Sequence, residues 1–323
     1  RALVFDTRKE DFRTTSDYAD KGYDNPTRSI LVEAQNRQNA RACGQAVFTG
    51  YPTHYLDIDQ FFDGFAPGHL TIVGARPGIG KTTFALNLAL NQAFKNNLKV
   101  GFFSLEMQGL EITEKICAIK GDINSRKLRR GEISGAEFQA YVVAFNEMKK
   151  NPFMLDDTSN ISLAKLRHKI KAWVELDGVQ IIFVDYLQLI TASDPSRTKY
   201  EQVTEISQQL KVLAKECNIP IIALAQVNRD STKGLAGGRP KASELRDSGA
   251  LEQDADEIIM LHMDPTLPTT LEVMFVKNRF GATGNVKLNF NKATGLIHNM
   301  ARIDEKAPPA YQHWNNYDDK DSP

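Results

Sequence analysis

The densest chemistry in the sequence lies in the run Ala75, Arg76, Pro77, Gly78, Ile79, Gly80, Lys81, Thr82 and Thr83. Glycines at 78 and 80 let the backbone curl until successive N–H groups point inward, and a helix opening at Lys81 adds unpaired N–H groups and the positive end of its dipole. Such a cup binds phosphates. Lys81 supplies a mobile cation for β- and γ-phosphates, and the hydroxyl of Thr82 supplies a ligand for Mg²⁺. The expected ligand is a nucleoside triphosphate. The pattern G-x-x-x-x-G-K-[ST] is met at Gly80, Lys81 and Thr82, with Ala75 at its first position and Gly74 one residue early. A glycine-rich strand-to-helix turn with a surface lysine would share these residues. The flanks favour the phosphate cup: an apolar run over 70–73 reads as a buried strand, and Phe84, Leu86, Leu88 and Leu90 follow as helical apolar positions.

In an open parallel sheet, ligands sit beyond the carboxyl ends of the strands, so polar residues that end apolar strands are the next candidates. Asp185 follows Ile181 to Val184, where it could hold the metal shell opposite Thr82 or cap the following turn. Glu106 follows the run over 102–105, where it could polarise an attacking water or simply stand at the start of a helix. Gln226 ends the run over 221–225 and could sense a γ-phosphate or serve as a capping amide. Lys277 and Arg279 alternate on a predicted strand and so share a face; such pairs are most often solvated or paired with acids.

These residues need a scaffold, and the pattern supplies an α/β one. Apolar strands over 70–73, 100–105, 153–155, 179–184 and 219–225 alternate with helices over 109–120, 134–149, 165–176 and 202–217. That alternation predicts a mostly parallel twisted sheet with helices on both faces. After Gln253 the helices stop, and strands over 257–262, 271–277 and 286–289 are expected to extend the sheet antiparallel. Residues 1–50 read as a polar tail with a linker helix between Pro26 and Gly44, either solvated or docking on a partner; 303–323 read as a polar tail.

The chain has 323 residues, 41% of them apolar, which suffices for a substantial core. Forty basic residues balance forty acidic ones, withholding the electrostatic footprint of a monomeric nucleic-acid binder but not of a ring in which loops from several subunits converge. Three isolated cysteines argue for reduced thiols in a cytoplasmic compartment, six scattered histidines against zinc, and the lack of a long apolar run against a membrane span.

Six motifs stand in register: 75–87, Ser104-Leu-Glu-Met, Val184-Asp-Tyr-Leu-Gln-Leu, Ala225-Gln-Val-Asn-Arg, 244–256, and Lys277-Asn-Arg-Phe-Gly. Together they resemble the DnaB-type replicative hexameric DNA helicases of bacteria and their phages, including that family's alanine in place of the first loop glycine. The resemblance covers about 51–301, within a RecA-like motor domain expected over 51–302. It implies an ATP- and Mg²⁺-dependent homo-hexameric ring that moves on single-stranded DNA, unwinds forked DNA, and has a primase and a helicase loader as partners. By the same resemblance, Lys81 and Thr82 hold phosphate and Mg²⁺, Asp185 supports the metal, Glu106 activates water and Gln226 senses the γ-phosphate. Lys277 and Arg279 reach a neighbouring subunit's ATP, and Arg246, Asp247 and Gly249 hold the DNA backbone. A RecA-type recombination or repair ATPase is the competing reading, with a non-translocating ring scaffold behind it; Ser104-Leu-Glu-Met and the Lys277-x-Arg279 pair favour the helicase.

Overall fold

A computed structural model describes residues 34, 35, 37–39, 42, 48–60, 62–151, 153–227, 239–240 and 248–300. The chain divides into two compact units, and residues 48–300 belong to the larger. In the smaller unit the described residues between 34 and 42 are helical. The rest of the expected linker helix, the C-terminal tail, Arg246 and Asp247 lie outside the described residues.

A nine-stranded sheet forms the larger unit's frame: β1 (Leu70–Ala75), β2 (Val100–Ser104), β3 (Phe153–Asp156), β4 (Ile181–Asp185), β5 (Ile221–Gln226), β6 (Glu257–His262), β7 (Thr270–Asn278), β8 (Gly284–Phe290) and β9 (Ile297–Asn299). Their order is β3-β2-β4-β5-β1-β6-β7-β8-β9. All of β1, β2 and β4 is buried, as continuous apolar runs demand in strands covered on both faces. Successive side chains divide between the faces. Val73, Phe102 and Phe183 join Phe84 and Leu88 in one core, whereas Ile72, Phe103 and Val184 join Leu166, Ile206 and Leu210 in the other.

The helices that make these cores follow the chain: α1 (Leu56–Asp59), α2 (Lys81–Phe94), α3 (Gly109–Gly121), α4 (Ser125–Arg130), α5 (Gly135–Lys150), α6 (Leu163–Asp177), α7 (Lys199–Cys217) and α8 (Ser248–Asp254). Caps set several starts: the side chain of Ser134 accepts from the N–H of Glu137, and that of Thr198 from the N–H of Glu201, each glutamate returning a bond to the cap's own N–H. Short α1, α4 and α8 and the three-residue β9 escape periodicity, because one turn of helix or three strand residues carry too few positions to show a period.

One expectation is corrected. The strand over 257–262, read as antiparallel, runs parallel to β1 in the register Thr71↔Glu257 to Ala75↔Leu261. The antiparallel strands begin at β7, which pairs with β6 through Glu257↔Asn278 and His262↔Glu272. The link between β5 and β6 includes α8, so the helix-then-strand alternation runs one unit further than the apolar pattern reveals. Since β8 is antiparallel to β7, it points the same way as β1 and ends at the same edge of the sheet.

Candidate active site

The glycine-rich loop joins β1 to α2 at that carboxyl edge. Gly78 and Gly80 have φ of 81° and 103°, values that L side chains rarely adopt. Gly80 caps α2, and the N–H of Phe84 bonds its carbonyl at 2.8 Å. A Cβ on Gly80 would also lie 3.1 Å from the ring of Phe290, so the positive φ favours glycine there and a side chain would press on that ring.

Behind the loop, Thr82 Oγ1 donates to Asp185 Oδ2 at 2.6 Å. Lys81 Nζ lies 4.0 Å from Asp185 Oδ1 and 4.3 Å from the centre of the Tyr186 ring. Strand β5 separates β1 from β4, so their backbones stand two spacings apart, roughly 10 Å, and the Asp185 and Thr82 side chains close the gap. Burial, the dominant cause, pushes the Asp185 carboxyl up; Lys81 and the Thr82 bond oppose it. Burial likewise pulls the Lys81 ammonium down against the attraction of Asp185 and Glu106. Asp185 Oδ1 is buried and accepts no hydrogen bond. A carboxylate oxygen that accepts no hydrogen bond, beside a threonine hydroxyl, is a hard-oxygen donor set, and it fits Mg²⁺.

A cavity of about 520 Å³ opens over this group. It is bounded by the loop, by Glu106 on the bend after β2, and by Gln226 at the end of β5. The Gln226 backbone is pinned by Gln188, whose Oε1 accepts from its N–H at 3.3 Å. All nine loop residues except Ile79, together with Glu106 and Gln226, line this one space, and Asp185 lies directly beneath it. Sequence reasoning missed Lys115 on α3, Tyr186, Phe290 and Lys292, which also line it. Phe290 and Lys292 were findable: β8 ends at the same edge as β1, so the search at strand carboxyl ends extends to them. Lys115 carries no such signal, since a lysine on an amphipathic helix is ordinarily solvated. Burial, the chief cause, holds its ammonium below the usual lysine range.

Lys277 and Arg279 are not in this group. They lie at the opposite edge, where β7 ends against the start of β6, about 17 Å away along the six residues of β1. Lys277 Nζ donates to the carbonyls of Glu252 at 2.5 Å and Ala255 at 2.6 Å, closing the carboxyl end of α8. Arg279, half exposed, has its guanidinium 3.3 Å from Asp256 Oδ1. Asp256 is itself buried, accepting from the Leu70 N–H at 2.9 Å and from Lys211 Nζ at 2.5 Å. Gly249 is exposed in the first turn of α8.

A glycine-rich cup between a central parallel strand and a helix, faced by an acidic strand end across one intervening strand, defines a phosphate-loop nucleotide-binding domain. Residues 50–299 match the DnaB-like helicase C terminal domain, and the chain belongs to that family. Among curated relatives, the replicative DNA helicase DnaB of Geobacillus stearothermophilus is 34% identical over 291 residues, covering 87% of this chain and 64% of that protein. The DnaB helicase of Treponema pallidum (strain Nichols) is 36% identical over 263 residues, covering 81% and 59%. The chain thus spans about three fifths of the length of the curated relatives it matches. A solved DnaB-like replicative helicase, described with its interactions with primase, superposes with a TM-score of 0.79 at 28% identity, covering 89% of this chain and 71% of that one. A second solved structure, an ATPase domain by itself, superposes equally well, covering 86% of this chain and all of its own. Among the described residues no helix is long and apolar enough to cross a membrane.

Proposed function

We propose that this chain is the ATP-dependent motor of a replicative DNA helicase that translocates on single-stranded DNA as a homo-hexameric ring and unwinds the duplex at a fork. The observation that carries it is the meeting of Thr82 and Asp185 at 2.6 Å beneath a phosphate loop, in a chain of the DnaB-like helicase family. Family membership disfavours the recombination ATPase. Residues 51–302 serve as the motor, 1–50 as tail and linker, and 303–323 as a C-terminal tail. Primase is the expected partner because a solved relative is described with one; a loader and a cytoplasmic site of action follow from the same reading.

The chemistry assigned to each residue follows from its surroundings. Lys81 is partly buried at the mouth of α2, where its charge acts on β/γ-phosphate oxygens with less screening than at an open surface. A Mg²⁺ held by Thr82 and Asp185 would neutralise charge on the same oxygens. Glu106, exposed on the cavity rim, takes the proton of an attacking water. The Gln226 amide, on the strand between the phosphate-loop strand and the Asp185 strand, contacts the γ-phosphate and responds to its loss. Lys277 and Arg279 lie too far from the chain's own cavity to act there, which supports their donation to a neighbour's ATP. Arg246, Asp247 and Gly249 hold the DNA backbone, side-chain cation and N–H groups repeating around the ring.

The test is strand displacement on forked DNA with ATP and Mg²⁺, each single-strand tail offered in turn, alongside DNA-stimulated ATPase. Unwinding with one tail polarity is expected. DNA-stimulated hydrolysis without displacement of either fork would leave a nucleotide-driven scaffold instead.

A further inference from the structure

Beside the phosphate-loop cavity lies a second one, of about 700 Å³, that shares Thr83, Lys115, Phe290 and Lys292 with it. Thr83 follows the residues that face the β- and γ-phosphates, so a nucleotide seated in the loop extends its ribose and base into this second space. One wall is apolar, made by Ile119 and Phe290. The rest is strongly basic: Lys115, Arg126, Arg129, Arg130 and Lys292 all line it.

Among the described residues little balances these charges. Arg129 and Arg130 approach Glu114 and Glu132 only at 3.9 and 3.8 Å, with both arginines more than half exposed. Lys115, Arg126 and Lys292 form no ion pair with any described residue. The platform is nevertheless fixed. Asn124 Oδ1 accepts from the N–H groups of Arg126 and Lys127, and the N–H of Ser125 bonds the carbonyl of Ala293 at 2.9 Å, tying α4 to the turn after β8. A base and an unsubstituted ribose are neutral and would leave Arg126 and Lys292 without an acidic partner and Arg129 and Arg130 with only one long ion pair each.

We infer that this cavity receives a phosphate carried on the ribose, so that nucleotides bearing a 2′- or 3′-phosphate in addition to the 5′-chain bind here in competition with ATP. The inference rests on the nucleotide reading of the phosphate loop and extends it. A ribose phosphate is a dianion with three acceptor oxygens, and guanidinium groups match it in bidentate geometry. Such a ligand bridges both cavities, and with a 5′-diphosphate it blocks turnover because it carries no γ-phosphate to lose.

The experiment is displacement of a fluorescent ADP analogue by ADP, by its 3′-phosphorylated form and by its 2′-phosphorylated form. At least one phosphorylated form should bind about tenfold or more tightly than ADP, the worth of one charge-assisted contact. Arg126→Ala/Arg130→Ala should erase that advantage while ADP affinity changes little. Lys127→Ala, the same loss of charge on α4 but outside the cavity lining, should keep it. Arg126→Gln alone gives the same reading if the double variant is unstable. Equal affinity for all three nucleotides overturns the inference, as does an advantage that survives the double variant or falls equally in Lys127→Ala. Failure of ADP itself to bind overturns the phosphate-loop reading as well, and that arm tells the two apart.

Discussion

Thr82 and Asp185, 103 positions apart in sequence, share a 2.6 Å hydrogen bond across the end of an intervening strand. The bond engages one carboxylate oxygen and leaves the other buried without a donor. A carboxylate in that condition is costly unless something else neutralises it. Lys81 Nζ, 4.0 Å from that second oxygen, supplies its nearest positive charge, so the lysine and threonine that open α2 both converge on this one carboxylate.

Lys81→Ala should abolish nucleotide binding and turnover together, because Lys81 is the loop cation held beside Asp185 at the start of α2. Glu106→Gln should separate the two. Nucleotide affinity should stay near that of the parent while turnover falls by about 10²–10⁴-fold, the usual worth of a general base. Equilibrium binding of a fluorescent nucleotide beside steady-state phosphate release checks both, and parental turnover in Glu106→Gln would remove the role given to it.

Arg279→Ala should bind ATP and hydrolyse almost none alone, an arginine delivered across a boundary contributing about 10³–10⁵ in rate. Mixed with Lys81→Ala under conditions of subunit exchange, it should regain activity, since some boundaries then pair an intact loop with an intact arginine. ATPase is followed across mixing ratios, with assembly followed by light scattering. Exchange without any gain over the separate variants would show that Arg279 does not act in trans.

Arg246→Ala should weaken single-strand binding for every sequence and flatten its salt dependence, because phosphate contacts carry affinity without reading bases. Basal ATPase should persist and its stimulation by DNA should vanish. Titrations at several salt concentrations decide the matter: an unchanged slope would move the DNA contact elsewhere.

Asp256 should matter to stability rather than to the chain's own site. Although burial alone would raise its pKa, bonds from Lys211 and the Leu70 N–H bring the carboxyl below the usual aspartate value. A folded-state pKa below the unfolded one contributes stability that is complete above the unfolded value, near pH 4, and is lost as pH falls through the lowered one. Asp256→Asn should therefore lower stability at neutral pH by roughly 3 kcal/mol, stranding Lys211. It should also flatten the acid limb of a plot of unfolding free energy against pH; an unaltered acid limb would count against this account.

Much of the fold was legible because its signals are local. Apolar runs such as 181–184 are bounded by polar residues, and the stripe at Val203, Ile206, Leu210 and Leu213 has one period, so each element announces itself within a dozen residues. The phosphate loop was legible for the same reason: positive φ at Gly78 and Gly80 and the helix start at Lys81 are properties of contiguous chain. The direction of β6 was not, since a strand's orientation depends on where the connection before it travels.

What the residues determined alone was therefore an inventory: a phosphate cup, polar residues at strand ends, and two cations two positions apart, expected to share a strand face, of which only Lys277 lies in β7 because that strand ends at Asn278. Tertiary structure decided their grouping. The insertion of β5 between β1 and β4 brings Asp185 within reach of Thr82 and sets Gln226 between them, while the reversal at β7 carries Lys277 and Arg279 to the far edge. Strand order also brings Phe290 and Lys292 from the far side of the sheet against the loop. Strand order is a matter of long-range pairing and of which buried faces cover one another. No local period in the sequence encodes either, so contacts between residues a hundred positions apart emerge only when the whole sheet is assembled.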